Sequence, residues 1–262
     1  LKNKNIVIIG AGRSGIAAAR FCAQKGACVT LNDKKEFQNI EGPWDELKAI
    51  DITLQGGSHS LDNLDSSDLI ILSPGVPLYL PELKEVKSTP IVGELEFASW
   101  FLKAPIIAIT GTNGKSTTTE LIHHLLKTGN KKVGIGGNIG TPLIDLAETE
   151  VNYDVLVVEV SSFQLETIEK FHPYISLILN VSEDHLDRYE SFQDYAQAKA
   201  HIFKNQNKND YLVFNEEDSI VCKMIESSLS QNLPFSSQKF LDKGISYKDG
   251  KIVYVNEDNS QE

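Results

Sequence analysis

Twice in this chain a short run of β-branched and apolar residues ends in a glycine loop that opens a helical pattern. That arrangement restricts the fold more than any other feature of the sequence. Ile6–Ile9 runs into Gly10-Ala11-Gly12-Arg13-Ser14-Gly15, and Ile106–Thr110 runs into Gly111-Thr112-Asn113-Gly114-Lys115-Ser116-Thr117. Strands that alternate with helices pair side by side as parallel strands, so each loop reads as the first crossover of an α/β unit. Val29–Leu31, Ile52–Leu54 and Leu69–Leu72 continue the first series, with a helix over Ser14–Lys25. Lys132–Ile135, Val155–Val160 and Ile175–Asn180 continue the second. The fold class is therefore α/β: a Rossmann-like domain over 1–92, then a phosphate-loop domain with a mostly parallel sheet over 93–262, with Gly93–Ala104 as the link. In the helix expected over Lys115–Lys127, Leu121, Ile122, Leu125 and Leu126 share one face, and Gly129 is its stop. From Asn205 onward the polar sequence gives no clear elements, and 256–262 reads as a frayed end.

The first loop is a full GxGxxG, and Asp33 ends the second strand 23 residues beyond Gly10. Glycines let a backbone approach a diphosphate, helix amides face the anion, and the acid accepts from a ribose hydroxyl. A dinucleotide and any nucleoside diphosphate both meet that geometry, and glycines kept only for strand–helix packing would look the same. Ser73 follows the fourth strand and could face the same crevice. The second loop has two residues between its glycines where the usual phosphate loop has four. Its strand–GK[ST]–helix context assigns backbone amides to phosphates, Lys115 to the β- and γ-phosphates, and the Ser116 hydroxyl to Mg²⁺.

Three further residues stand near the ends of later elements. Glu159 lies at the end of a buried strand, where an ionised group needs a partner. His185 sits in Asn180-Val181-Ser182-Glu183-Asp184-His185-Leu186-Asp187-Arg188, just past the next strand. Lys199 falls inside the apolar stripe Phe192, Tyr195, Ala196, Ile202, Phe203 of a helix that Ser191 can cap. An ammonium there must snorkel, find a partner or lose its charge. His123 and His124 read as structural.

The net charge of −11 argues against affinity for nucleic acid or an anionic membrane. No run of 18 apolar residues is present, and the apolar start is too short for a signal-peptide core. Three scattered cysteines with no metal spacing fit a reducing cytoplasm.

Gly111–Thr117, Glu159-Val160-Ser161-Ser162-Phe163-Gln164-Leu165-Glu166, Asn180–Tyr189 and Gly136-Gly137-Asn138-Ile139-Gly140 resemble the central-domain signatures of the Mur ligases, the ATP-dependent amide ligases of cell-wall (peptidoglycan) precursor synthesis. The resemblance extends over essentially the whole chain. Within the family it is strongest to the branch that joins D-glutamate to UDP-N-acetylmuramoyl-L-alanine through an acyl phosphate. It implies that Gly12, Arg13, Ser14, Asp33, Lys34, Ser73 and Asn138 surround the UDP-sugar, Arg13 and Lys34 lying where members vary. It implies that Gly111, Thr112, Asn113, Gly114, Lys115, Ser116 and Thr117 hold ATP. Ser116 would serve a first Mg²⁺. Glu159, His185 and Lys199 would serve a second, Lys199 as a carbamate formed from CO₂. A monomer with no nucleic-acid or membrane partner is expected. The family's third domain and its asparagine-rich segment have no match here, so a piece of a longer protein, unable to ligate alone, is expected. Two other readings give different roles to the same residues. An NAD-dependent oxidoreductase would use the first loop and Asp33, and a non-catalytic nucleotide-binding module would use the loops alone.

Overall fold

A computed structural model describes residues 1–58, 64–149, 151–185 and 187–256. Leu186 and the end beyond Asn256 lie outside the described residues. The chain forms two compact units: 1–102 with 141–151 and 167–170, and the remainder.

The first unit is a parallel five-stranded sheet. Its elements are β1 (Asn5–Ile9), α1 (Arg13–Gln24), β2 (Cys28–Asn32), α2 (Trp44–Ala49), β3 (Thr53–Gln55), β4 (Leu69–Leu72), α3 (Pro81–Glu85), β5 (Ile91–Gly93) and α4 (Glu94–Ser99). The strand order is β3-β2-β1-β4-β5. β1 is the middle strand with β4 beside it, and a continuous apolar run suits strands covered on both faces. Val7, Ile9, Ile70 and Leu72 form one core cluster with Leu64 and Leu83. α1 turns Gly15, Ala17, Ala18 and Ala19 inward with Phe21 and Cys22. Such small residues let the helix lie close to the sheet.

The segment read as a link behaves otherwise. Glu94–Ser99 is a helix with five of its six residues buried, and it belongs to the first unit. Its apolar side explains part of this, because Phe97 and Phe101 pack edge-on against Phe21. Two buried carboxylates explain the rest. Glu94 accepts from the Ile144 amide at 2.8 Å, and Glu96 accepts from the amides of Glu169 and Lys170 and from the Trp100 indole. Both later segments, 141–151 and 167–170, are thereby tied into the first unit.

The second unit carries β6 (Ile106–Thr110), α5 (Lys115–Thr128), β7 (Val133–Gly137), β8 (Val155–Glu159), α7 (Ser162–Leu165), β9 (Ile175–Ile178), α8 (Phe192–Ala200), β10 (Tyr211–Asn215), α9 (Ser219–Met224), β11 (Gln231–Ser236), β12 (Gly244–Lys248) and β13 (Lys251–Val255); the intervening helix α6 (Leu143–Glu148) belongs to the first unit. The sheet order is β13-β12-β11-β10-β9-β6-β8-β7, parallel except for the closing β12–β13 hairpin. The sequence beyond Asn205 thus continues the sheet. Polar residues and Pro234 in β11 hide its strand pattern.

α5 stops at Gly129, its C-cap, as the sequence leads one to expect. Leu121 and Leu125 are 54% and 59% exposed, and among its described residues only Thr119 is fully buried. The helix rests on β6, β7 and β8 through a narrower strip that leaves these two leucines outside it. Past that cap the chain turns at Asn130, which is left-handed with φ 59°.

Candidate active site

In the first unit the glycine loop is locked from within. Gly10 adopts φ +98°, a conformation open to glycine. A Cβ on Gly15 would run into the Gly10 carbonyl oxygen, so the helix can start this close to the strand only with glycine there. The Ser73 hydroxyl, buried, donates to that same carbonyl at 2.7 Å. Asp33 accepts from the Ala11 amide at 2.8 Å and the Lys35 amide at 2.9 Å. Ser73 and Asp33 therefore shape the loop. Gly12 and Arg13 at the mouth of α1 are exposed, Ser14 is half-buried, and Lys34 is exposed. Nothing lies within 4 Å of a Cβ position on Gly12, which leaves open backbone at a helix N-terminus, the environment a diphosphate requires.

In the second unit the loop Gly111–Thr117 joins β6 to α5. Gly111 at φ +150° packs against Leu179, and Gly114 at φ +85° caps the helix. The first-turn amides of α5 have no intrahelical acceptor and face the loop mouth. Lys115 folds back, donating to the carbonyls of Gly111 at 2.9 Å and Thr112 at 2.8 Å. Ser116 and Thr117 are exposed.

Lys199 approaches the same loop from α8. It is 2% exposed, its Nζ donates to the Gly111 carbonyl at 3.0 Å, and it lies 4.5 Å from the Tyr195 ring centroid. The ammonium does not snorkel. Burial, then the nearby Lys115 charge, push its pKa down to about 7. Glu159, 2% exposed at the end of β8, accepts from the Asn138 side chain at 2.8 Å, while its Oε2 is buried with no partner among the described residues. Asn138 belongs to this second unit and braces Glu159, also through its own backbone amide. His185 has φ 51°, half-exposed, with its ring 4.8 Å from Phe163 and 6.3 Å from Tyr195. Arg188 lies 3.8 Å over the Phe163 ring and bonds Glu166. His123 and His124 lie on α5.

Glu159 with an orphaned buried oxygen is the kind of group a hard cation satisfies. Among the described residues no three His, Cys, Asp or Glu side chains converge as a metal site on their own.

Residues 109–260, more than half of the chain, match the family described as the Mur ligase middle domain. The chain belongs to the Mur ligase family. Residues 4–93 match the N-terminal domain described as Mur ligase MurD-like. The chain is 45% identical over 256 residues to the UDP-N-acetylmuramoylalanine--D-glutamate ligase of Geobacter sp. (strain M21), covering 97% of this chain and 57% of that protein. The protein of the same name from Koribacter versatilis (strain Ellin345) is 40% identical, with 97% and 56% covered. The chain thus spans just over half the length of the curated relatives it matches. Among solved structures, the UDP-N-acetylmuramate:L-alanyl-gamma-D-glutamyl-meso-diaminopimelate ligase from Neisseria meningitides is similar in fold, with TM-score 0.64 at 16% identity, covering 95% of this chain and 86% of that one. A MurF ligase from Thermotoga maritima, solved with ADP, has TM-score 0.51 at 17% identity, covering 99% of this chain and 54% of that one.

In this member of the family the loop Gly111–Thr117, Lys199, Glu159 and Asn138 fall within one unit, and the first loop, Asp33, Lys34 and Ser73 within the other. Sequence reasoning did not single out Asn180, whose side chain takes both polar groups of the Asn113 peptide. Its position two residues past β9, at the head of Asn180–Tyr189, was the available signal. Among the described residues no helix is long and apolar enough to cross a membrane.

Proposed function

We propose that this chain is the UDP-sugar-binding and ATP-binding part of a cytoplasmic, monomeric ligase that adds D-glutamate to UDP-N-acetylmuramoyl-L-alanine. The first unit would hold the UDP-sugar and the second the nucleotide. The observation that carries the reading is the buried Lys199, an amine with a depressed pKa whose Nζ reaches the phosphate loop itself. A lysine that reacts as the neutral amine with CO₂ suits that place, because carbamylation exchanges a costly buried cation for an anionic oxygen ligand.

In this reading the α5 amides and Lys115 bind the ATP phosphates, and Lys115 leaves its own loop carbonyls to do so. Ser116, Glu159, His185 and carbamylated Lys199 would hold Mg²⁺, which offsets the repulsion between two anionic reactants. The muramoyl-alanine carboxylate attacks the γ-phosphorus, ADP leaves, and an acyl phosphate forms. The amine of D-glutamate then attacks the acyl carbon, loses a proton, and phosphate leaves. The work of the chain is positioning and charge stabilisation. Asn138 contributes by fixing the Glu159 carboxylate.

A calorimetric titration of the chain with UDP-N-acetylmuramoyl-L-alanine, Mg·ADP and NAD tests this. Saturable binding of the first two and none of NAD is expected. Binding of NAD with no response to the UDP-sugar would overturn it in favour of an oxidoreductase.

A further inference from the structure

Residues 179–182 form a short strip between the end of β9 and the phosphate loop, and polar contacts hold it on both sides. From behind, the Asn215 side chain donates to the Leu179 carbonyl at 3.1 Å and Asp218 accepts from the Val181 amide at 2.8 Å. Asp218 is itself fixed, because its other oxygen accepts from two amides at the start of α9. Toward the loop, the Asn180 carbonyl accepts from the Thr112 amide at 2.9 Å. The Asn180 side chain accepts from the Asn113 amide at 2.8 Å and donates to the Asn113 carbonyl at 3.0 Å. Two residues along, the Ser182 amide donates to the Thr112 hydroxyl at 3.0 Å.

The side-chain amide of Asn180 thus pairs with the Asn113 peptide as a neighbouring strand would. This matters for what the loop presents. The amides of Thr112 and Asn113 are consumed, and those that follow, at the start of α5, are left pointing outward. A flexible loop would lose that ordering entropy when it closed on a phosphate, and a loop already held in place does not. Gly111 belongs to the same fit, since a Cβ there would press on the Leu179 side chain at 3.0 Å.

We propose that Asn180 is the positioning residue of the phosphate loop, presetting its conformation for a nucleoside polyphosphate through the paired contacts to Asn113. This rests on the reading of 111–117 as the nucleotide loop. Asn180 acts through the backbone and does not itself touch a phosphate.

Two measurements separate the inference from that reading. The first needs no nucleotide: amide hydrogen exchange at Asn113 in the unliganded wild-type chain. Protection is expected, with its loss in Asn180→Ala; a freely exchanging Asn113 amide in the wild type would overturn the proposal by itself. The second is Mg·ADP affinity below the melting temperature of each variant. Asn180→Ala is expected to weaken binding about tenfold. Asn180→Asp, nearly isosteric, sets a carboxylate oxygen against the Asn113 carbonyl and adds negative charge beside the phosphates, for a loss of about a hundredfold. UDP-sugar affinity, which belongs to the other unit, should be unchanged in both. A residue that served only stability would lower the melting temperature and leave the Mg·ADP affinity within twofold, and that result would overturn the proposal. No Mg·ADP binding by the wild type would overturn the nucleotide reading and the positioning role with it.

Discussion

Glu94 should make the first unit less stable as pH rises, and replacing it by glutamine should remove that effect. The carboxyl is 1% exposed, accepts from the Ile144 amide, and has a second oxygen with no partner among the described residues. Burial, reinforced by the nearby Asp145 carboxylate and opposed by the amides of Ile144 and Leu143, pushes its pKa up to about 7 from 4.5. The folded state therefore keeps a proton that the unfolded chain has released. Below about pH 4.5 both states are protonated and nothing is lost. Stability then falls as pH rises toward 7 and levels off above it. Between pH 5 and 8 the loss is roughly 2–3 kcal/mol at about 1.4 kcal/mol per unit. Trp44 and Trp100, the only two tryptophans, both lie in the first unit, so their fluorescence in urea reports that unit selectively. The fall from pH 5 to pH 8 should be roughly 2–3 kcal/mol larger in the wild type than in Glu94→Gln. Equal falls in the two proteins would show that Glu94 is ionised when folded and that the argument is wrong.

In the full-length ligase, Lys115→Ala should cut turnover by about a thousandfold while the UDP-sugar affinity of the other unit is kept, as kinetics and titration would show. Lys199→Ala should be inactive and partly rescued by a small added carboxylic acid; in wild type, labelled CO₂ should give a carbamate carbon signal that weakens as pH falls below about 7, where the amine is protonated. Gly15→Ala should cost at least about 1–3 kcal/mol in melting experiments, because the new Cβ meets the Gly10 carbonyl, and should abolish UDP-sugar binding. Asn138→Ala should weaken Mg²⁺ dependence more than nucleotide affinity, since it frees the Glu159 carboxylate it now holds, which a Mg²⁺ titration of turnover would register.

What the sequence determined by itself is local. Ile6–Ile9 and Ile106–Thr110 are strands because a continuous β-branched run can be buried on both faces, and the loops after them follow from glycine. Lys199 was also legible, because a cation in an apolar helical stripe is a contradiction that needs a chemical answer. What only the tertiary structure decided is how residues far apart in sequence meet. Glu94 and Glu96 draw 141–151 and 167–170 into the first unit, where the sequence suggested a plain link. Ser73 closes on Gly10, Asn138 on Glu159, and Asn180 on Asn113. Leu121 and Leu125 have the spacing of a buried face and lie outside it, because the width of the contact strip depends on the sheet beneath. Periodicity records which side of an element avoids water. A hydrogen bond between residues dozens of positions apart leaves no period, and its partner exists only once the chain has folded.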